Sequence, residues 1–102
     1  MSVPHDSRRG GFLLLRRAGG LWGIASSAIE GLAPEEGGYK ISAGGEALFA
    51  DEIVGVVADL RVHPPAPVLR RFWDEAVTGL AVYGRVPVVM VDPRQPPEIL
   101  RF

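Results

Sequence analysis

The side chains best suited to hold a metal ion or move a proton are two histidines, His5 and His63. Neither has an acidic residue at ligand spacing, so both read as solvated loop histidines and a metal site is not expected. Asp51 and Glu52 form an adjacent carboxylate pair, yet neighbours on a turn point apart and do not share a proton. Asp51 is better read as the N-cap of a turn that follows it. Asp92, followed by Pro93, reads as the end of a strand rather than a base. The glycine pairs at 10–11, 19–20, 37–38 and 44–45 are not followed by Lys-Ser or Lys-Thr at a strand-to-helix transition, so no phosphate cradle is expected. There is no cysteine, which removes disulfides, thiolate ligands and a Cys nucleophile. No serine has a visible His-Asp constellation. The chain is therefore expected to have no catalytic residues, metal or cofactor, and not to be an enzyme.

What remains is binding chemistry. Arg70, Arg71, Phe72 and Trp73 form a basic and aromatic run. Adjacent residues on a helix diverge by about 100°, so Phe72 and Trp73 cannot both face one core. With Leu69, Phe72 and Ala76 inward, Trp73 falls at the boundary near Arg70 and Val77. Trp and Arg are favoured as anchors of protein interfaces, which makes Phe72, Trp73, Arg70 and Arg71 the candidate partner surface. The simpler alternative is a basic pair on a solvated helix face.

The elements that must position these residues are mostly strands. Phe12 to Arg17 and Leu21 to Ala25 flank Ala18-Gly19-Gly20, a hairpin pattern. Ser27 and Glu30 have capping-box spacing before Gly31, predicting one short helical turn. Leu32 to Gly38, with Pro34 and two glycines, reads as a loop. Gly38 to Ser42 and Glu46 to Ala50 around Ala43-Gly44-Gly45 form a second hairpin. Asp51 to Gly55 reads as a capped turn, Val56 to Val62 as a strand and His63 to Pro67 as an extended crossing. Val68 to Ala76 is the one amphipathic helix segment. Val77 to Asp92 forms a third hairpin broken at Tyr83-Gly84-Arg85, its second arm apolar enough to be covered on both faces. The tail from Pro93 is stiffened by proline and can end in a helical turn. Leu21 to Leu32 and Ala47 to Val56 echo each other as a strand ending in a polar capped turn whose isoleucine, Ile29 or Ile53, packs back on it, consistent with duplication or with the way a barrel corner is built.

Composition sets the frame. With 102 residues the chain is expected to fold as one domain over 11–102, preceded by a flexible arm over 1–10. A net charge of -1 with 23% charged residues argues against nucleic acid as a partner. No apolar stretch has the length of a membrane span, and Phe12 to Leu15 is too short for a signal-peptide core, so the expected location is the cytoplasm, away from membranes. The 13 glycines and 9 prolines punctuate short apolar runs, which predicts a mainly β fold rich in turns.

Phe49-Ala50-Asp51-Glu52-Ile53-Val54-Gly55-Val56-Val57, the His63-Pro64-Pro65 crossing, Val77 to Val82 and Val88 to Asp92 resemble, in order and spacing, the second half of CheW-like domains. Phe12 to Arg16, Gly19-Gly20, Trp22 to Ala25 and Ala28-Ile29-Glu30 are similar to that family's opening hairpin. These are adaptor domains of bacterial chemotaxis, found alone or at the end of the CheA kinase. The family's usual Arg-Gly motif and its central portion have no counterpart between Gly31 and Gly38. The resemblance implies a small SH3-like β-barrel with a non-catalytic adaptor or scaffold role in signal transduction. It also implies a protein partner: a histidine kinase, a receptor or another CheW-like protein. The alternatives are a stand-alone small barrel that binds a ligand, or a self-associating structural protein forming a homodimer.

Overall fold

Three hairpins whose two turn residues both have positive φ set the architecture, seen in a computed structural model that describes residues 11–67 and 75–102. Phe12–Arg17 (β1) turns at Ala18-Gly19 into Gly20–Ala25 (β2). Gly38–Ala43 (β4) turns at Gly44-Gly45 into Glu46–Ala50 (β5), and Val77–Tyr83 (β7) turns at Gly84-Arg85 into Val86–Val91 (β8). All six turn residues have positive φ, the requirement of the turn that matches strand twist. Between these lie Ile29–Glu35 (β3) and Glu52–Val57 (β6).

The strands form a five-stranded sheet in the order β6-β1-β2-β8-β7 and a three-stranded sheet in the order β3-β4-β5. All neighbours are antiparallel except β2 and β8, which pair in parallel from Leu21 with Val88 to Gly23 with Met90. The chain changes sheet twice, from β2 to β3 through a 3-10 turn at Ser26–Ala28 and from β5 to β6 at Asp51. These corners coincide with the two echoed sequence units. The fold is thus mainly β, as expected, but the hydrogen-bonded ladders remain two open sheets and do not close into a barrel.

Both faces of the five-stranded sheet are covered, which is why Leu13, Leu14 and Leu15 are all buried in succession. On one face Leu13, Leu15, Ile24 and Val91 pack with Ile41, Ala43, Leu48 and Ala50 of the other sheet and with Leu100 of the tail. On the other, Leu14, Leu21, Ala81, Val88 and Met90 pack beneath Phe12, Val57, Leu60 and Val62. The apolar arm β8 is accordingly buried at Val88 and Met90 on one side and at Val91 on the other. The tail ends in a 3-10 turn, Glu98–Leu100, and Arg101 bridges to Leu48.

Four local expectations are corrected. Leu32 to Gly38 is mostly strand, because β4 supplies a partner and β3 is an edge, where Pro34 is tolerated. Asp51 to Gly55 is not a capped turn: Glu52 onwards is β6, and Gly55, at φ 143, accommodates a bulge opposite Leu14 and Leu15 rather than ending a helix. The strand expected over Val56 to Val62 stops at Val57, with Asp59 at φ 60 beyond it. Ser26–Ala28 has no side-chain cap, and Glu30 instead accepts a hydrogen bond from the Gly45 N–H at 3.4 Å. The helix expected over Val68 to Ala76 falls largely outside the described residues; its last two positions, Glu75 and Ala76, form a turn. No α-helix occurs among the described residues, and none there is long and apolar enough to cross a membrane.

Candidate protein-binding surface

The expected anchors Arg70, Arg71, Phe72 and Trp73 all lie outside the described residues, as does His5. His63 is exposed, and its backbone exchanges two hydrogen bonds of 2.8 Å with Leu80, giving β7 a partner on its outer side. Asp51 and Glu52 serve different cations. Glu52 pairs with Arg16 at 3.4 Å across the β1-β6 ladder. Asp51 reaches back to the first hairpin, accepting hydrogen bonds from the Ala18 N–H at 3.0 Å and from Arg17 Nη1 at 2.9 Å. It therefore caps the β1-β2 turn and not a turn of its own. The Ala18 N–H and then the Arg17 guanidinium hold its carboxyl below the ordinary aspartate range.

Arg17 connects four parts of the fold. Besides binding Asp51, its Nε donates to the Ile99 carbonyl at 2.9 Å, its guanidinium lies 4.8 Å from the centre of the Phe49 ring, and its carbonyl accepts from Trp22 Nε1 at 3.1 Å. Asp92 is a second internal staple, its carboxyl held low by the Arg94 guanidinium and then by the Arg94 backbone N–H. Both residues line a groove of about 450 Å³, open to solvent, whose other walls include Phe12, Val62 and Met90. Its charged groups bind each other, so the groove offers an incoming ligand mainly apolar wall. Among the described residues no group of three His, Asp or Glu side chains is placed to hold a metal ion.

Two hairpin ends have the opposite character. The parallel ladder with β2 begins only at Val88, so the end of the β7-β8 hairpin runs past its neighbour. There Val82 is 65% exposed, and Tyr83 and Val86 are each 41% exposed, around the Gly84-Arg85 turn. Tyr83 and Val86 sit opposite each other on one face, Val82 and Pro87 on the other. Arg85 is held at φ 71, a conformation costing a side chain about 1–2 kcal/mol. At the second end, Leu32 of β3 pairs with fully buried Ile41 and yet is 50% exposed, and Tyr39 on the same face is 37% exposed. Glu35 and Glu36 close this hairpin, and Lys40 alternates to the far face, 5.2 Å from the centre of the Phe102 ring.

The sequence marked the Tyr83-Gly84-Arg85 break as a turn but not as an exposed surface. The available signal was the order Gly-Arg, which puts the large side chain where such turns usually carry glycine. Comparison with protein-family models, with curated proteins and with solved structures finds no match to this chain.

Proposed function

We propose that this chain is a non-catalytic protein-interaction module, an adaptor or scaffold of the CheW-like kind working in chemotaxis-type signal transduction in the cytoplasm. Its partner is a histidine kinase, a receptor or another CheW-like protein. The observation that supports this reading best is the end of the β7-β8 hairpin, where Val82, Tyr83 and Val86 stay exposed around Arg85 while Ala81, Val88 and Met90 further in are buried. Tyr and Arg flanked by aliphatic surface are a composition enriched at protein interfaces. The path of β2 to β3 and β5 to β6 through two corners is also what an SH3-like barrel opened on one side would follow. Affinity capture with the tagged full chain from its source cell tests the proposal. Recovery of a signalling kinase, receptor or CheW-like protein is expected, and consistent recovery of none of the three contradicts it. Ligand binding in the groove beside Asp92 stands second, because that groove's charged groups already neutralise each other.

A further inference from the structure

The two exposed hairpin ends carry opposite charge. The β7-β8 end presents Arg85 in its turn, with exposed Tyr83 and Val86 on one face and Val82 on the other, and the β3-β4 end presents Glu36 in its turn, with Leu32 and Tyr39 on one face and Glu35 on the other. None of the ion pairs among the described residues includes Arg85, Glu35 or Glu36. We propose that the β7-β8 end of one chain docks on the β3-β4 end of a second copy, Arg85 meeting Glu35 and Glu36 while the aliphatic and tyrosine side chains cover one another. This rests on the protein-interaction reading and names the partner.

Three features support a second copy as occupant. The ends are complementary in sign and alike in apolar character, so contact removes apolar area from water and pairs charges that have no ion-pair partner among the described residues. Arg85 occupies an unfavourable backbone region that glycine would occupy without strain, and none of the ion pairs among the described residues includes its side chain. Lys40, the one cation of β4, lies over Phe102 and makes no ion pair with Glu35 on its own face among the described residues, so this hairpin end keeps its negative charge. The contact is made by side chains and not by adding a strand to β3, because Pro34 lacks an N–H and interrupts that edge.

Sedimentation velocity of the full chain over a range of concentrations tests this, with Arg85→Glu, the double variant Glu35→Lys/Glu36→Lys, and their equimolar mixture. The parent is expected to associate as concentration rises. Each variant alone is expected to associate at least tenfold more weakly with an unchanged melting curve. The mixture is expected to regain association, since the reversed charges pair only between chains. A monomeric parent, an Arg85→Glu protein that associates like the parent, or a mixture of folded variants that stays monomeric overturns the proposal. A monomeric parent that still captures a signalling kinase or receptor overturns the second-copy partner alone and leaves the adaptor reading standing.

Discussion

The turns at Ala18-Gly19 and Gly84-Arg85 have the same two-residue form and nearly the same dihedrals, with φ 55 and 80 in the first and φ 57 and 71 in the second. Their surroundings differ in every other respect. Asp51 caps the first turn, and Arg17 beside it reaches Phe49 and Ile99, joining both sheets and the tail. The second turn has no side-chain staple among the described residues, and its flanking Val82, Tyr83 and Val86 face solvent. Turns of closely similar φ thus serve as an internal joint at one place and as an exposed tip at the other. What separates them is whether the rest of the chain supplies a carboxylate and an aromatic surface for the turn.

The largest effect that sharpens this contrast is expected from Arg17→Ala. It removes a charged hydrogen bond to Asp51, the bond to Ile99 and the stacking on Phe49, and should cost about 2–3 kcal/mol of stability in urea unfolding while leaving self-association unchanged. A loss confined to a few tenths of a kcal/mol would mean that the joint is ornamental.

Next is the dependence on pH. Because the folded-state pKa of Asp51 is lowered, its contribution is fully present above the pKa of an unfolded aspartate, about 3.9, and is lost as pH falls through the lower folded value. Asp51→Asn should lower the melting temperature at neutral pH, and the gap to the parent should shrink as the solution is acidified below about pH 4. A gap of constant size down to pH 2 would show that the carboxylate's charge plays no part.

The smallest effects come from relieving the turns. Ala18→Gly and Arg85→Gly should each stabilise the chain by about 0.5–1 kcal/mol in urea unfolding, since glycine adopts positive φ without strain. They part company in association, which only Arg85→Gly should weaken. If both variants associate like the parent, the two turns do not differ in function.

How far the sequence reveals this fold depends on where neighbours overrule local pattern. The three hairpins with positive-φ turns were legible, because glycine placement and β-branched runs agree with the strands they join. Within the first turn the positive φ falls on Ala18 and Gly19, while Gly20 already opens β2. β3 was hidden because Pro34, Glu35 and Glu36 carry loop chemistry, and only pairing with β4 makes that segment a strand. β6 was hidden because Asp51 and Gly55 mimic a capped turn, when one staples a distant hairpin and the other makes room for a bulge. The exposed tip was hidden because β8 is apolar along its whole length, and its first residues are uncovered because the ladder with β2 begins only at Val88. Of the anchors expected from sequence, Phe72, Trp73, Arg70 and Arg71 lie outside the described residues and take no part in this account.

Amide hydrogen exchange, read residue by residue at low and at high protein concentration, compares the two turns in one measurement. The Ala18 amide, bonded to Asp51, should exchange slowly at both concentrations. Amides from Val82 to Val86 and from Glu35 to Tyr39 should exchange fast in the dilute sample and become protected only in the concentrated one. Protection at those two hairpin ends that does not change with concentration, or that rises instead around Ala18, would contradict the division between an internal joint and a contact surface.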